Sequence, residues 1–553
     1  MKKKRQQMSS QANLKRGARS SLINFALLII ASLLFAASFP NIIFVNGLPL
    51  LAWIAFAPVF VLVNRVSIGA SVFWGAFYGY AAFALFNYWL SVFHPLAGII
   101  VGFVYLIYMA MLFPLLRIAT IIFPRRGYIL QFLLWMAYEY LRTLGFLGYS
   151  YGISGYSQWN LLPVIQIASI TGVWGVSALV VFPSAWLAAM FSVNKNLKAF
   201  FRQEWVSASL WFVLLTASLI YGFAGRIDYS DAPTKRLALI QHNTDPWAPS
   251  HAPTVALALE EYWNDFRTLR RLSEEALAAY PDTDLVVWSE TAFVPRIYWH
   301  STVRDNPPFW ALVRELLEFL REHDVPFIIG NDDTRRDPVR NPVWDHRVHY
   351  NAAILLERGE IVQIYRKIHL VPFTEHFPFQ RQFPRIYQAL VEADTHFWDT
   401  GTEFTVFESR GVRFATPICF EDSFGYLSRE FVRHGAELLI NIANHAWSGS
   451  LSAQMQSLTM AVFRSVENRR SMARSTSSGQ TSVIDPNGKI LAMAEPFAET
   501  WLVADVPIVN HTTFYTRHGD YLGVIFVWSA MILLISGSFL YIMRSTRRRG
   551  RTK

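Results

Sequence analysis

The chain has 553 residues, of which 53% are hydrophobic, 15% aromatic and only 16% charged. This composition is too apolar for an ordinary soluble protein of this length, and a single cysteine excludes an intramolecular disulfide framework. The formal net charge of +10 is carried mostly by the termini and by short loops between apolar runs. That distribution indicates orientation in a membrane and argues against nucleic-acid binding.

Apolar runs dominate the chain before residue 226, and one more lies near the C-terminus. They are Leu22–Phe39, Leu48–Val63, Ala70–Phe93, Leu96–Phe123, Tyr128–Leu147, Leu161–Phe191, Trp205–Phe223 and Tyr521–Met543. Most are long enough to cross about 30 Å of hydrocarbon as helices. Buried helices of a soluble protein would explain one such run but not eight, so we predict a polytopic α-helical membrane bundle with eight transmembrane helices. The first run resembles a signal peptide, and we interpret it as a retained helix.

Basic residues alternate between the predicted loops. The loops Asn41–Gly47 and His94–Pro95 contain none, whereas the termini and the intervening loops do. The basic residues are Lys2, Lys3, Lys4, Arg5, Lys15, Arg16, Arg65, Arg125, Arg126, Lys195, Lys198, Arg202, Arg544, Arg547, Arg548, Arg549, Arg551 and Lys553. Since positive residues favour the cytoplasmic side, both termini are predicted inside and the polar segment before the last span outside.

The polar segment, about residues 229–507, has the rhythm of an α/β domain. Short β-type runs alternate with amphipathic stretches such as Val255–Tyr280 and Phe309–His323. Turn sequences at Glu357–Glu360 and Asp485–Gly488 are typical of hairpin connections. A segment of this length can bury a core of its own.

Three residues of this domain are candidates for catalysis. Glu290 ends the run Val286–Glu290, Lys367 lies in the segment Tyr365–Glu375, and Cys419 lies between a strand and a predicted helix. A carboxylate can take the thiol proton, the thiolate can attack a carbonyl, and an ammonium with a backbone N–H can stabilise the oxyanion. We also expect the start of a helix to lower the pKa of Cys419.

Each candidate also has an ordinary structural interpretation. Cys419 could be an inert buried cysteine, Glu290 a strand-end acid and Lys367 a solvated lysine. The combination, in this order and in these local sequences, favours acyl transfer.

The chain resembles the apolipoprotein N-acyltransferase family over roughly residues 20–540. The strongest local match is Tyr365–Phe373 followed by Glu375. The resemblance implies eight membrane helices and an exported α/β nitrilase-like αββα sandwich with Glu290, Lys367 and Cys419 as its triad. It implies supporting roles for Glu375, Glu421 and Phe420.

Further matches lie outside the triad. In the membrane part, Glu139 and Arg142 share a helix face and can pair, and they, with Asn87, are possible site residues or purely structural groups. The other matching residues are Gln241, Asn243, Asn444, Trp447, Arg464, Glu467 and Gly479, with the motifs Gly155–Gln158 and Gly172–Gly175. Departures from the family pattern occur at Ser289, His445, Ser477–Ser478 and Phe424–Gly425.

The resemblance also implies a reaction and its partners. Cys419 would take an acyl chain from a membrane phospholipid and pass it to the α-amino group of a diacylglyceryl-cysteine at a lipoprotein N-terminus. We expect no cofactor, no metal, no nucleic acid and a monomer, in a bacterial inner membrane with the catalytic domain on the periplasmic side. His369, His376 and His445 lack a spacing suited to zinc.

The expected domains are a basic N-terminus at residues 1–20, seven helices at 21–226, the catalytic domain at 227–508, the last helix at 509–543 and a basic tail at 544–553. Two other functions compete with the acyltransferase. A membrane-anchored amidase or nitrilase would use the same triad, although one anchor would suffice for it. A transporter with an accessory domain would need several ionisable groups along a pathway, and Glu139 is one of few candidates.

Overall fold

A set of apolar helices and an α/β domain inserted before the last long helix make up the structure. The computed structural model describes residues 2–93, 95–193, 197–244, 252–339, 346–392 and 396–550. His94, Lys195, Arg551 and Lys553, which entered the prediction of orientation, lie outside the described residues.

The apolar runs form helices, as predicted. Outside the α/β domain the helices are Lys2–Ser38, Ala52–Ala55, Ala57–Arg65, Ile68–Phe86, Leu90–Phe93, Pro95–Ile122, Gly127–Leu141, Leu162–Ile165, Ala168–Thr171, Val173–Val193, Leu197–Ala224, Phe514–His518 and Tyr521–Gly550, with 3-10 turns at Pro49–Leu51 and Ser154–Gln158. Among the described residues, six helices are long and apolar enough to cross a membrane. Those spans are Arg19–Ser38, Ile68–Phe86, Ala97–Ile122, Val173–Ser192, Lys198–Ala224 and Tyr521–Arg547.

Two of the predicted runs form shorter helices, for identifiable reasons. In the run Leu48–Val63 the helix is interrupted at Phe56. Pro58, near the start of the next helix, has no N–H and cannot donate a hydrogen bond to a carbonyl of the preceding turn. The run Tyr128–Leu147 is helical only to Leu141. After it the chain turns back, with Gly145 at φ 74°.

The α/β domain contains twelve strands in the described residues. They are β1 Thr234–Gln241, β2 Leu285–Val287, β3 Phe327–Arg336, β4 Arg347–Glu357, β5 Glu360–Arg366, β6 Phe407–Ser409, β7 Val412–Ala415, β8 Leu438–Ala443, β9 Met472–Thr476, β10 Ser482–Ile484, β11 Ile490–Met493 and β12 Thr500–Pro507. Its helices are Val255–Ala279, Ile297–Thr302, Pro307–Arg321, Pro384–Glu392, Gly425–Arg433 and Leu451–Asn468, with 3-10 turns at Cys419–Ser423 and Ala446–Ser448.

The strands form two six-stranded sheets. Their orders are β12-β1-β2-β3-β4-β5 and β11-β10-β9-β8-β7-β6. Strands β1, β2 and β3 are parallel, as are β7, β8 and β9, and the outer strands pair antiparallel. The arrangement agrees with the predicted αββα sandwich.

Alternation along the strands separates the layers of the core. On β1, Leu237 and Leu239 face one apolar cluster, while Ala238 and Ile240 face another that includes the helices Val255–Ala279 and Pro307–Arg321. The first cluster continues without a break into the apolar helices. The α/β domain is therefore packed directly against the apolar helices, and buried contacts set its orientation relative to them.

Local sequence explains where the two outer helices begin. The side chain of Thr254 accepts a hydrogen bond from the N–H of Leu257, and the side chain of Asn306 accepts one from the N–H of Phe309. Both are N-cap contacts, which satisfy a backbone donor that the helix itself leaves free. Each helix that covers the first sheet thus starts directly after a polar N-cap residue, where the helical pattern of apolar residues begins.

Candidate active site

The three predicted catalytic residues all follow strands and come together between the two sheets. Glu290 follows β2, and Cys419 follows β7, whose line continues through a bridge between Ile418 and Ile442. Lys367 comes directly after β5. The carboxyl ends of the parallel strands in the two sheets therefore supply the acid and the thiol, and the neighbouring antiparallel edge supplies the lysine.

Lys367 is held between two carboxylates. Its Nζ lies 3.2 Å from Oε1 of Glu290 and 2.8 Å from Oε1 of Glu375, and the lysine side chain is fully buried. Burial lowers the pKa of Lys367, but Glu290 and Glu375 outweigh that effect and raise it above its ordinary value. The lysine is thus a fixed positive charge inside the site.

Glu290 is oriented by two further donors. The amide Nδ2 of Asn351 lies 2.8 Å from Oε1, and the backbone N–H of Asn444 donates to Oε2 at 2.9 Å. The charge of the same carboxylate also acts on the Cys419 thiol and raises its pKa. Glu290 therefore contacts the lysine and lies near the thiol, as a general base for Cys419 must.

Cys419 sits at a sharp elbow and remains partly exposed. Its φ of 49° lies in the left-handed region, which for a non-glycine residue costs about 1–3 kcal/mol. Burial, and then the charge of Glu290, raises the pKa of the Cys419 thiol above its ordinary value. The expectation of a lowered pKa was wrong, because burial and the charge of Glu290 outweigh the effect of the short 3-10 turn Cys419–Ser423.

Glu421 ties the elbow to the lysine segment. Its Oε1 accepts hydrogen bonds from the N–H groups of Ile368 and His369 at 2.8 and 2.9 Å, and its Oε2 accepts one from the N–H of Ile418 at 2.8 Å. The hydroxyl of Tyr365 donates to the same carboxylate at 2.8 Å. Glu421 is fully buried, so it is a structural bridge between the strand ends that carry Lys367 and Cys419.

Known protein families match both parts of this chain. Residues 236–513 match the carbon-nitrogen hydrolase family, and residues 31–186 match the apolipoprotein N-acyltransferase N-terminal domain. Apolipoprotein N-acyltransferase 1 of Treponema denticola is 44% identical over 95% of this chain and 98% of its own length. Apolipoprotein N-acyltransferase 1 of Treponema pallidum is 46% identical over 96% and 98%.

The chain belongs to the apolipoprotein N-acyltransferase family. Among solved structures, Saccharomyces cerevisiae Nit3, a member of branch 10 of the nitrilase superfamily, aligns with a TM-score of 0.34. It is 20% identical, and the alignment covers 50% of this chain and 90% of that chain.

The apolar-helix part of this family member approaches the elbow through the loop around Tyr151 and the segment around Trp89. The ring of Tyr151 is stacked at 6.5 Å from that of Phe420 and lies 5.7 Å from the ring of Trp89. Trp89 in turn contacts Trp447 of the catalytic domain at 6.0 Å. Phe420, predicted as a supporting residue, is therefore part of an aromatic junction between the bundle and the elbow.

Glu139, Arg142 and Asn87 hold that loop in place. Arg142 Nη1 donates to the carbonyl oxygens of Tyr149 and Tyr151, both at 2.9 Å, and Asn87 Oδ1 accepts from the hydroxyl of Tyr149 at 2.8 Å. Within the described residues Glu139 forms no ion pair with Arg142, contrary to the expected pairing. Instead, its carboxylate accepts hydrogen bonds from the hydroxyl and N–H of Ser154.

A buried ion pair joins motifs from the two parts of the chain. Arg464 and Glu467 are 2.9 Å apart and almost completely buried. Glu467 accepts the N–H of Val173 at 3.1 Å, and Arg464 donates to the hydroxyl of Tyr156 at 3.0 Å. The segments around Tyr156 and Val173 thus bind the α/β domain through the buried pair Arg464–Glu467.

Sequence reasoning missed three residues of the site. Asn351 contacts Glu290, Asn441 contacts the elbow backbone, and Arg474 pairs with Asp422 at 3.1 Å. Each is a polar residue in a strand, with buried residues on either side of it in the sequence. A polar residue within an apolar strand needs a partner, and this pattern could have indicated the three positions.

One group of metal-type donors lies away from the predicted histidines. Ligand atoms of Asp332, His349 and His396 lie within 4.8 Å of one another. Arg296 Nε is 2.7 Å from Asp332 Oδ2, so a fixed cation already neutralises that carboxylate. No step of the chemistry is assigned to this group.

The raised thiol pKa predicts how Cys419 reacts with iodoacetamide. Because the thiol is neutral near pH 7, its alkylation rate should rise with pH and reach no plateau below pH 9. Glu290→Gln removes a negative neighbour, so its plateau should shift to lower pH. The measurement is the alkylation rate by intact mass between pH 6 and 10; a wild-type plateau below pH 8 would contradict the assignment.

Proposed function

We propose that the chain transfers a fatty acyl chain from a membrane phospholipid to the α-amino group of an S-diacylglyceryl-cysteine at a lipoprotein N-terminus. Membership in the apolipoprotein N-acyltransferase family supports this reaction. The observation that carries the mechanism is that Glu290 contacts Lys367 Nζ and that its charge acts on the Cys419 thiol.

In the first half-reaction the Cys419 sulfur attacks the ester carbonyl of the phospholipid. The sulfur–carbon bond forms, the carbonyl electron pair moves to oxygen, and Glu290 takes the thiol proton. Lys367 and the N–H of Phe420 stabilise the oxyanion. The carbon–oxygen bond then breaks, and Glu290 returns its proton to the departing lysophospholipid.

In the second half-reaction the α-amino group attacks the thioester. An amide bond forms, the carbon–sulfur bond breaks, and the amine proton passes through Glu290 to the Cys419 sulfur. Glu375 holds Lys367 in place, and Glu421 holds the elbow. Exclusion of water favours aminolysis over hydrolysis of the thioester.

The proposed topology has eight crossings. Six are the long apolar helices, and two are the shorter segments Pro49–Arg65 and Gly127–Leu141, the second about 22 Å long at 1.5 Å per residue. With the N-terminus in the cytoplasm, five or seven crossings before the α/β domain both lead outward. The periplasmic location of catalysis therefore does not depend on the two short segments.

This placement suits both substrates. Phospholipid and diacylated lipoprotein carry acyl chains held in the membrane, and each buried methylene contributes about 0.8 kcal/mol to binding. We propose that the catalytic domain, about residues 227–508, works as a monomer at the outer face of the inner membrane.

Intact-mass analysis tests the proposal. Protein purified from membranes and incubated with phospholipid should gain the mass of a fatty acyl group that hydroxylamine removes, as expected for a thioester. Cys419→Ser should carry no hydroxylamine-labile mass. An unmodified wild-type protein at saturating phospholipid would contradict acyl transfer and favour the alternative of a membrane-anchored amidase.

A further inference from the structure

The peptide between Cys419 and Phe420 carries two groups on opposite sides. The carbonyl belongs to Cys419 and the N–H to Phe420, and the described peptides are all trans. In a planar trans peptide these groups point in opposite directions, so anchoring the oxygen also aims the hydrogen. A group that binds the carbonyl oxygen of Cys419 therefore also sets the direction of the Phe420 N–H, the proposed oxyanion donor.

Asn441 binds the carbonyl oxygen of Cys419 and that of Pro417. Its Nδ2 lies 3.0 Å from the carbonyl oxygen of Pro417 and 3.4 Å from that of Cys419. Asn441 is fully buried in β8, between apolar residues of the strand. A buried amide of this kind is retained only when its hydrogen bonds are satisfied.

Arg474 decides which way the amide of Asn441 faces. The two residues are opposite each other in the parallel pair β8–β9, and Arg474 Nε donates to Asn441 Oδ1 at 3.5 Å. A guanidinium only donates, so it holds the amide oxygen on its side and leaves the amide nitrogen toward the elbow. Arg474 Nη2 also pairs with Asp422 Oδ2 at 3.1 Å, so the same guanidinium contacts the 3-10 turn itself.

We propose that Asn441, oriented by Arg474, is a positioning residue that aims the Phe420 N–H at the oxyanion formed on the acyl group. This role rests on the proposed acylation of Cys419 and adds a residue to it. Asn441 touches no reacting atom. It acts by fixing the peptide plane, and it bears on each step in which a carbonyl of the substrate or thioester becomes tetrahedral.

Asn441→Asp tests the role with little change of shape. The carboxylate keeps a partner for Arg474 but has no N–H for the two carbonyls. Single-turnover acylation of Cys419 from phospholipid should slow by about 100-fold, the effect expected when a catalytic group is displaced by about 1 Å. Acylation is followed as the hydroxylamine-labile mass.

Alkylation of Cys419 by iodoacetamide separates positioning from collapse of the elbow. This displacement forms no oxyanion, so Asn441→Asp should react within about twofold of the wild-type rate. Asn264→Asp, the same change at an exposed position, should alter neither rate. Asn441→Leu, which removes every polar atom, should also slow acylation and spare alkylation.

Two results would overturn the inference. One is wild-type acylation in Asn441→Asp, and the other is a parallel loss of alkylation, which would assign Asn441 a purely structural role. Absence of acylation in the wild-type protein would instead contradict the proposed function itself, and the role of Asn441 with it.

Discussion

Replacing Lys367 by methionine is expected to slow acylation of Cys419 by roughly 1,000-fold or more. The change removes the cation that stabilises the oxyanion and leaves the buried Glu290 and the partly buried Glu375 without it. Asn351 still contacts both carboxylates, but the cation that holds Glu290 in place is gone. The measurement is single-turnover acylation by intact mass.

The same variant should also be less stable, by about 3–5 kcal/mol, since a buried ion pair loses one partner. Combining Lys367→Met with Glu375→Gln should recover part of the stability and none of the activity. Lys489→Met changes an exposed lysine and should leave both unchanged. Acylation by Lys367→Met within tenfold of the wild-type rate would refute the assigned role.

Glu421→Gln is expected to lower stability by about 2–4 kcal/mol and to slow acylation at least 100-fold. The carboxylate now accepts hydrogen bonds from several donors, including the N–H groups of Ile368 and Ile418. An amide in its place would point an N–H at some of these donors, and those hydrogen bonds would be lost. The segments that carry Lys367 and Cys419 would then no longer be held at a fixed distance from each other. Thermal unfolding and single-turnover acylation are the measurements.

A matched comparison identifies the bridge as the cause. Tyr365→Phe removes only one donor to Glu421 and should have a smaller effect on both quantities. Glu408→Gln, at an exposed glutamate, should have none. Unchanged stability in Glu421→Gln would show that the four hydrogen bonds do not hold the elbow.

The competing functions make different predictions at the same residues. An amidase would release its acyl group to water and would not accumulate a fatty acyl adduct. A transporter would function without Cys419 and would use buried ionisable groups in the membrane part. Glu139 and Arg142, the candidates for such groups, are instead bound to the loop around Tyr149, Tyr151 and Ser154.

Much of this protein could be predicted from its sequence. Apolar runs, strand-like runs and turn residues follow from local chemistry, so the membrane helices and the α/β domain were recognisable. Glu290, Lys367 and Cys419 were proposed as a triad because of their combination and the family resemblance, and the structure places Lys367 against Glu290. Family membership is confirmed by relatives that match nearly the whole chain.

Helix lengths and electrostatics required more than local pattern. Apolar composition predicted eight spans, whereas six of the described helices have spanning length, because Pro58 and the turn after Leu141 interrupt two runs. The pKa of Cys419 was expected to fall, but burial and Glu290 raise it. The error in the thiol pKa arises from neighbours that the local sequence does not reveal.

The sequence by itself determined which residue types are available for the chemistry and which segments are apolar enough to cross a membrane, since both depend on local composition. Only the tertiary structure decided that Lys367 lies between two carboxylates, that Glu421 joins two strand ends and that Asn441 anchors the elbow. These contacts join residues far apart in the chain, and their distances depend on how two sheets pack together.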